Sequence, residues 1–195
     1  MEAILRVENI SFRHPLTAVN AAPALDRVSF EIAAGEWVAI VGANGSGKTT
    51  LARHLNALLK PTTGRVLVNG LDTRETQNLP VIHSLVGMVF QHPENQIVAT
   101  TVEEDVAFGP ENLAHPSALI RERVDEALSA AGISALRTRA PHLLSAGQIQ
   151  RVALAGILAM RPQVIIFDES TAMLDPAGRH DALNMLEQLN RQGLT

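Results

Sequence analysis

Three observations in the sequence predict an α/β fold with a mainly parallel sheet. Continuous apolar runs, such as WVAIV at residues 37–41 and VIIF at Val164–Phe167, are typical of strands covered on both faces, as in parallel sheets. Between such runs, apolar residues recur at the spacing of amphipathic helices. Hydrophobic residues make up 46% and charged residues 18% of the 195-residue chain, a balance that suits one globular core. Alternating buried strands and helices indicate the α/β class.

Residues 1–35 are predicted to form an antiparallel β region. The segments 4–12 and 25–32 alternate apolar and polar residues, which is the two-residue period of half-buried strands. A proline-containing loop separates the two segments. We therefore expect them to pair with each other beside the rest of the core.

Residues 36–98 are predicted to form the centre of the α/β core. The apolar strand at 37–41 leads into a glycine-rich loop and then a helix over LARHLNALLK, which Pro61 ends. Two further strands are predicted, RVLV at 65–68, which closes at an Asn-Gly turn, and VGMVF at 86–90.

The remainder of the chain is predicted to consist of a helical subdomain and a return to the core. Residues 99–160 carry apolar residues at helical spacing, with acids and arginines between them. Residues 161–195 contain the buried strand Val164–Phe167 and then an amphipathic helix over 177–189, which Pro176 opens. We treat the whole chain as one domain with an inserted helical subdomain.

Charge and composition exclude several classes of protein. A net charge of −4 and only two lysines, Lys48 and Lys60, argue against a nucleic-acid-binding surface. Without cysteines, neither disulfides nor thiolate metal sites can form. The most apolar run, at 152–160, is far shorter than the roughly 20 residues that span a bilayer, and the N-terminus does not resemble a signal peptide. We therefore expect any membrane role to be peripheral.

The strongest motif lies at residues 42–50, GANGSGKTT, between a predicted strand and a predicted helix. It fits the P-loop pattern GxxxxGK followed by Ser or Thr, in the context that confirms such a motif. Its glycines let the main chain fold around phosphates, whose charge the amides and the helix dipole stabilise. Lys48 is suited to bridge the β and γ phosphates, Thr49 to offer its hydroxyl to Mg²⁺, and Thr50 to approach the α phosphate.

Two carboxylates, Asp168 and Glu169, follow the strand Val164–Phe167. Ligands bind at the carboxyl edge of α/β sheets, so Asp168 suits a Mg²⁺ position and Glu169 suits a general base that polarises water. Gln91 follows the strand at 86–90, and its amide could reach both the metal and the water. Taken alone, an Asp-Glu pair is a common strand-to-loop transition and a loop glutamine is usually just solvated. The P-loop favours the functional interpretation.

A second phosphate-binding pattern, LSAGQ at residues 144–148, lies directly before a predicted helix. Small residues and amides at a helix start attract anions. A helix cap is the alternative interpretation, and it accounts for Ser145 but not for the Ala-Gly-Gln run that follows.

Together, the P-loop, Gln91, LSAGQ, VIIFDE and the MLD ending at Asp175 resemble the ATP-binding subunits of ABC transporters over essentially the whole chain. The segments FQHPENQIVATTVEEDVAFGPENL and QRVALAGILAMRPQVIIFDESTAMLDP are most similar to the ATPases of energy-coupling factor (ECF) transporters, which serve vitamin and cobalt or nickel uptake. The resemblance implies ATP and Mg²⁺ as cofactors. The implied ATP-binding residues are His14, Gly42, Ala43, Asn44, Gly45, Ser46, Gly47, Lys48, Thr49 and Thr50. The implied catalytic residues are Glu169, Gln91 and Lys48, and the implied Mg²⁺ ligands are Thr49, Gln91 and Asp168.

The resemblance also implies partners. ABC subunits pair head to tail, so that the signature residues Ser145, Ala146, Gly147 and Gln148 would meet ATP held by the P-loop of a second ATPase subunit, either an identical chain or a paralogue. Asp175 would lie at the same dimer seam. Gln91, Glu94 and Gln96 would face a transmembrane coupling subunit, which works with a substrate-binding membrane subunit. The expected location is the cytoplasmic face of the membrane. No nucleic acid is expected among the partners.

Three features depart from the family pattern. Ala146 stands where the signature usually has Gly, and because one methyl group can be tolerated if the residue keeps negative φ, we expect closure to be weakened rather than abolished. His14 stands where an aromatic residue often stacks on adenine, and a solvated loop histidine is the alternative. The family continues into another strand and a histidine near the γ phosphate, whereas this sequence stops at RQGLT, so we expect it to be truncated and to hydrolyse ATP poorly.

Two other functions remain open from sequence. One is a non-hydrolysing regulatory nucleotide-binding subunit, against which the presence of Glu169 argues. The other is a DNA-associated ABC-type ATPase, whose long coiled coils or zinc modules between the two phosphate-binding motifs have no counterpart in this sequence.

Overall fold

The computed structural model describes residues 3–15, 22–169 and 176–195. A four-stranded antiparallel sheet has the strand order β2-β1-β3-β4. Its strands are β1 (Ala3–Phe12), β2 (Leu25–Ala33), β3 (Thr63–Val68) and β4 (Leu71–Asp72). The predicted pairing of the first two strands is confirmed. The sheet also takes β3 and β4 from the region 36–98, because β3 pairs with the free edge of β1.

The hairpin between β3 and β4 has the predicted Asn-Gly turn. Asn69 and Gly70 have φ angles of 48° and 80°, as a two-residue type I′ turn requires at both central positions. Residues Val68 and Leu71 pair directly across this turn.

The first helix, α1 (Lys48–Leu55), packs against the antiparallel sheet. Its residues Leu51 and Leu55 belong to the same buried cluster as Leu5 and Val66 of the sheet. The predicted helix over residues 51–60 is wrong at its C-terminal end. Asn56 no longer has helical dihedrals and Ala57 has a φ of 62°, so the helix ends well before Pro61.

The parallel part of the core consists of β5 (Val86–Val89) and β6 (Val164–Phe167), which were both predicted from their apolar runs. A short helix, α2 (Leu79–Leu85), leads into β5. The last helix, α6 (Pro176–Arg191), buries Leu186 against Val89 of β5. Packing between these elements supports the carboxyl ends of the two parallel strands.

The prediction of a buried strand at residues 37–41 is wrong. This run has no strand hydrogen bonding, and its side chains are open to solvent, with Trp37 51% and Val41 88% exposed. On its free side, β6 instead pairs with Thr195, whose N–H donates to the Gln163 carbonyl at 3.0 Å and whose carbonyl accepts from Ile165 N–H at 2.9 Å. In the described part of the chain no strand lies next to the run, which lines a cavity of about 460 Å³ beside β6.

The exposed position of Trp37, the only tryptophan of the chain, leads to a simple prediction. In the 195-residue chain, we expect the emission of a largely solvated indole, with strong quenching by acrylamide, because half of the side chain meets solvent. Steady-state fluorescence with an acrylamide titration checks this. A blue-shifted emission that acrylamide cannot reach would contradict the open conformation of residues 37–41.

The predicted helical subdomain is present between β5 and β6. It consists of α3 (Val102–Asn112), α4 (Ser117–Ala130) and α5 (Ala146–Leu158). The three helices meet in a separate buried cluster around Val106, Leu128 and Val152. A capping box fixes the start of α3, since the Thr101 hydroxyl accepts from Glu104 N–H while the Glu104 carboxylate accepts from Thr101 N–H. In the described ranges, no helix combines the length and the apolar character needed to cross a membrane.

Candidate functional site

The P-loop residues 42–47 lead directly into α1, which begins at Lys48. Gly47 caps the helix with a φ of 95°, and a Cβ there would overlap the Ala24 carbonyl oxygen. A side chain at this position would therefore be both strained and blocked. Because the loop is mostly exposed, the amides at the start of α1 are open to an anion, as the sequence predicts for a phosphate.

The Lys48 ammonium group lies between the P-loop and the end of β6. It donates to the carbonyls of Gly42 at 3.1 Å and Ala43 at 3.2 Å. It also forms an ion pair with Glu169, at 3.2 Å between Nζ and Oε1. The structure thus brings together the predicted phosphate-binding lysine and the predicted general base.

Thr49 and Asp168 form a second link between the P-loop and β6. The Thr49 hydroxyl donates to Asp168 Oδ1 at 2.8 Å. Asp168 is only 5% exposed, and its own N–H donates to the Val89 carbonyl of β5 at 3.0 Å. A hydroxyl and a carboxylate so close together match the oxygen ligands that Mg²⁺ prefers. The described residues include no cluster of three or more His, Cys, Asp or Glu, but a P-loop magnesium site uses one hydroxyl, one carboxylate and the nucleotide phosphates.

Glu169 has an unusual backbone conformation. Its φ of 51° lies in the left-handed region, which is strained for a residue with a Cβ. Strain of this kind persists only where surrounding contacts hold it, and here the carboxylate is held by the Lys48 ammonium group. No sequence signal indicated this strain.

The Gln91 side chain is exposed just beyond β5. Among the described residues, it forms no hydrogen bond with Thr49 or Asp168, so the structure does not bring this predicted ligand into the pair. Glu94 is exposed and lies 3.2 Å from His92 Nδ1, so its predicted contact with a partner stays a prediction. Gln96 is turned inward instead, because its amide bonds the backbone of β5.

The signature segment begins α5. Ser145 caps the helix, with its hydroxyl accepting from Gln148 N–H at 3.3 Å, while Gln148 Oε1 accepts from Ser145 N–H at 2.9 Å. Ala146 is the first helical residue and does not have positive φ, so its methyl group causes no strain. Ser145 and Ala146 are exposed, and no residue of 145–148 lines the cavity that Lys48, Asp168 and Glu169 share. Asp175 lies outside the described residues.

His14 and His54 both contact Thr50, and no sequence motif indicated a role for His54. His14 Nε2 lies 3.3 Å from the Thr50 hydroxyl, and its ring is edge-on to Phe12. His54 is fully buried, with Nδ1 2.7 Å from the Thr50 carbonyl. The position of His54 four residues after Thr50, on the apolar face of α1, is the signal that could have identified it.

Burial lowers the pKa of His54 below its ordinary value, and this has a consequence for stability. As the pH falls below about 6.5, the unfolded chain takes up a proton that the folded chain refuses. We therefore expect the free energy of unfolding to fall between about pH 7 and pH 5, with His54 contributing at most about 1.4 kcal/mol per pH unit.

Urea unfolding at several pH values checks this prediction. His54→Gln should flatten the dependence of the unfolding free energy on pH, whereas His142→Gln, at an exposed position, should leave it as it is. Equal slopes for the wild type and His54→Gln would rule out His54 as the cause.

The P-loop at the start of α1, facing Asp168 and Glu169 at the end of a parallel strand, defines a P-loop nucleotide-binding domain. Residues 25–172 match the family model described as ABC transporter. The chain therefore belongs to the ABC transporter family. This match confirms the membership of the ABC family that the sequence predicts.

Individual relatives support the finer resemblance. The chain is 63% identical over 182 residues to the energy-coupling factor transporter ATP-binding protein EcfA1 of Symbiobacterium thermophilum, covering 91% of this chain and 63% of that protein. It is 54% identical over 192 residues to EcfA1 of Clostridioides difficile, covering 98% of this chain and 69% of that protein. The predicted resemblance to ATPases of the energy-coupling factor branch is confirmed.

Solved structures show the same fold. The cbiO1 protein of Clostridium perfringens, described as part of the ABC transporter complex cbiONQ, matches with a TM-score of 0.88 and 38% identity, covering 100% of this chain and 77% of that chain. The dimeric bacterial ABC transporter cassette MJ0796 matches with a TM-score of 0.86 and 31% identity, covering 98% of this chain and 85% of that chain. The predicted ABC-type ATPase core is thereby confirmed.

Proposed function

We propose that this chain binds ATP with Mg²⁺ and hydrolyses it as one half of a head-to-tail pair of ATPase subunits that powers a membrane importer. The observation that carries the proposal is the pair of contacts between the P-loop and β6, Lys48 with Glu169 and Thr49 with Asp168. Both contacts support a site in which these charged and polar groups would bind the triphosphate and its metal.

Phosphate binding falls to the start of α1. The open amides of the glycine loop and the helix dipole stabilise negative charge there. Lys48 would exchange its contacts with the Gly42 and Ala43 carbonyls for the β and γ phosphates. These two hydrogen bonds support a Lys48 side chain that is already directed at the loop before nucleotide binds.

Magnesium binding falls to the Thr49 hydroxyl and the Asp168 carboxylate, with Gln91 as a further ligand. When bound, Mg²⁺ neutralises charge on the β and γ phosphate oxygens. The Thr49 hydroxyl would give up its hydrogen bond to Asp168, which would leave both oxygens available as ligands. The deep burial of Asp168, together with its backbone bond to Val89, holds the carboxylate in place.

Glu169 would act as the general base that orients the attacking water. Its carboxylate is free for this role only after Lys48 has moved to the phosphates, which couples nucleotide binding to activation of the base.

The exposed start of α5 supports a site shared between two subunits. Ser145, Ala146 and Gly147 would meet the γ phosphate bound to a partner, because they do not reach the cavity beside their own Lys48. The dimeric form described for MJ0796 supports such a pair. The description of cbiO1 as part of the ABC transporter complex cbiONQ supports partner subunits in a transporter. The resemblance to the energy-coupling factor branch extends the proposal to peripheral attachment at the cytoplasmic face and to uptake of a vitamin, cobalt or nickel.

A magnesium titration of ATP binding tests the proposal. In the wild-type chain, we expect Mg²⁺ to strengthen ATP binding measured by calorimetry. Thr49→Ala should weaken the effect of Mg²⁺ by roughly tenfold, since it removes one oxygen ligand. Thr100→Ala, at an exposed threonine outside the P-loop, serves as the control. Absence of ATP binding by the wild type would refute the proposal, and binding without hydrolysis in the transporter complex would favour the regulatory alternative.

A further inference from the structure

The side chain of Gln96 completes the edge of β5 in the manner of a neighbouring strand. Its Oε1 accepts from Phe90 N–H at 2.9 Å, and its Nε2 donates to the Met88 carbonyl at 3.0 Å. These two backbone groups point away from β6. The residue between them, Val89, points toward β6, and its carbonyl accepts from Asp168 N–H directly after that strand. The amide thus satisfies one donor and one acceptor that an edge strand would otherwise leave open.

Because both hydrogen bonds return to the end of β5, residues 91–95 form a closed loop. Gln91 is the first residue of that loop. The segment Pro93–Gln96 is a 3₁₀ turn whose Pro93 is buried, and the turn packs against α5, the helix that carries the signature residues at its start. The loop is therefore held at its two ends and along one side.

A second anchor follows immediately and belongs to the helical subdomain. Asp105 of α3 is 8% exposed, and its Oδ1 accepts from Val98 N–H at 2.7 Å and from Ala99 N–H at 3.1 Å. Only Ile97 separates this anchor from Gln96. Any shift of the helical subdomain relative to β5 must therefore act on the Gln96 amide.

We propose that Gln96 is a positioning residue for Gln91, because its two hydrogen bonds to β5 fix the point at which Gln91 leaves the strand. This inference rests on the proposed function, in which Gln91 contacts Mg²⁺ and the attacking water. With the amide bonded to β5, Gln91 leaves the strand at a fixed point. When the bonds break, the loop follows Asp105 and α5, and Gln91 loses its place.

Gln96→Leu in the intact chain within its transporter complex tests the inference, since leucine keeps much of the volume but removes both hydrogen bonds. We expect kcat for ATP hydrolysis to fall on the order of 10- to 10²-fold and the Mg²⁺ concentration for half-maximal rate to rise. Binding of ADP without Mg²⁺ should stay as in the wild type, because the P-loop does not contact Gln96. Gln77→Leu, at an exposed glutamine whose amide donates to the Glu75 carboxylate, is the matched control.

Amide hydrogen exchange provides a readout that does not depend on activity. In Gln96→Leu, exchange at Phe90 and Gln91 should be faster while exchange in α1 is unchanged. Gln96→Glu keeps an acceptor for Phe90 N–H but loses the donor to Met88, so an intermediate result is expected, and this variant serves if the leucine variant does not fold.

The outcomes separate the two hypotheses. If the wild-type complex hydrolyses no ATP, the proposed function is wrong. Amide hydrogen exchange at Phe90 and Gln91 still shows in that case whether Gln96 holds the loop. Unchanged exchange at Phe90 and Gln91 in Gln96→Leu would overturn the inference, as would faster exchange with wild-type kcat and Mg²⁺ dependence.

Discussion

Replacing Glu169 with glutamine should lower the rate of ATP hydrolysis by between about 10² and 10⁴-fold, which is the usual contribution of a general base. The affinity for ATP should be equal to that of the wild type or higher, because the change removes the carboxylate that pairs with Lys48 at 3.2 Å and so competes with the phosphates for it. Phosphate release in the assembled complex gives the rate, and calorimetry gives the affinity. The two measurements together separate loss of the base from loss of binding.

A matched change at Glu187, an exposed carboxylate paired with Arg191 on α6, controls for the loss of one negative charge. Glu187→Gln should hydrolyse ATP at the wild-type rate. Retention of wild-type hydrolysis by Glu169→Gln would exclude Glu169 as the base, and equal losses in both variants would point to a general effect of charge.

Replacing Lys48 with alanine should reduce ATP affinity on the order of 10- to 10²-fold, because two phosphates would lose charge-assisted bonds to a partly buried ammonium group. Hydrolysis should fall further, on the order of 10²–10³-fold, since the same group stabilises charge that develops in the transition state. Binding of ATP and of adenosine, measured side by side, checks the cause, because only the ligand with phosphates should be affected.

Lys60 offers the control, since it is the only other lysine in the chain. Its ammonium group is exposed and donates to the Arg74 carbonyl at 3.0 Å, away from the P-loop. Lys60→Ala should bind and hydrolyse ATP as the wild type does. Equal ATP affinities for Lys48→Ala and the wild type would place the phosphates elsewhere.

Local patterns were sufficient to predict much of the fold. The two-residue alternation of β1 and β2, the apolar run of β6 and the Asn-Gly turn after β3 each specify their conformation within a few residues. The P-loop and the Asp-Glu pair were also recognisable. Their juxtaposition follows from the rule that ligands gather at the carboxyl ends of parallel strands.

Features that depend on neighbours could not be predicted in this way. The run at 37–41 has the composition of a buried strand, but a strand also needs hydrogen-bonding partners, and none lies beside it in the described residues. The inward turn of Gln96 depends on the free edge of β5. Burial of His54 depends on the packing of Phe12 against α1. Sequence patterns do not encode such long-range contacts.

The central claim is that each ATP is held between two subunits, and the cysteine-free chain allows a direct measurement. Ser145→Cys introduces a single thiol at the exposed start of α5, and Lys48→Ala in the same chain weakens ATP binding at its own P-loop. The rate of thiol labelling is measured with and without MgATP. The measurement is made on the isolated chain and on the assembled complex. The complex contains the membrane partners and a second ATPase subunit with an intact P-loop, either an identical chain or a paralogue.

We expect MgATP to protect the thiol only when that second subunit is present, because the ATP that covers residue 145 belongs to the partner. Protection of the isolated chain, or unprotected thiol in the assembled complex at saturating MgATP, would contradict a nucleotide site shared between two subunits.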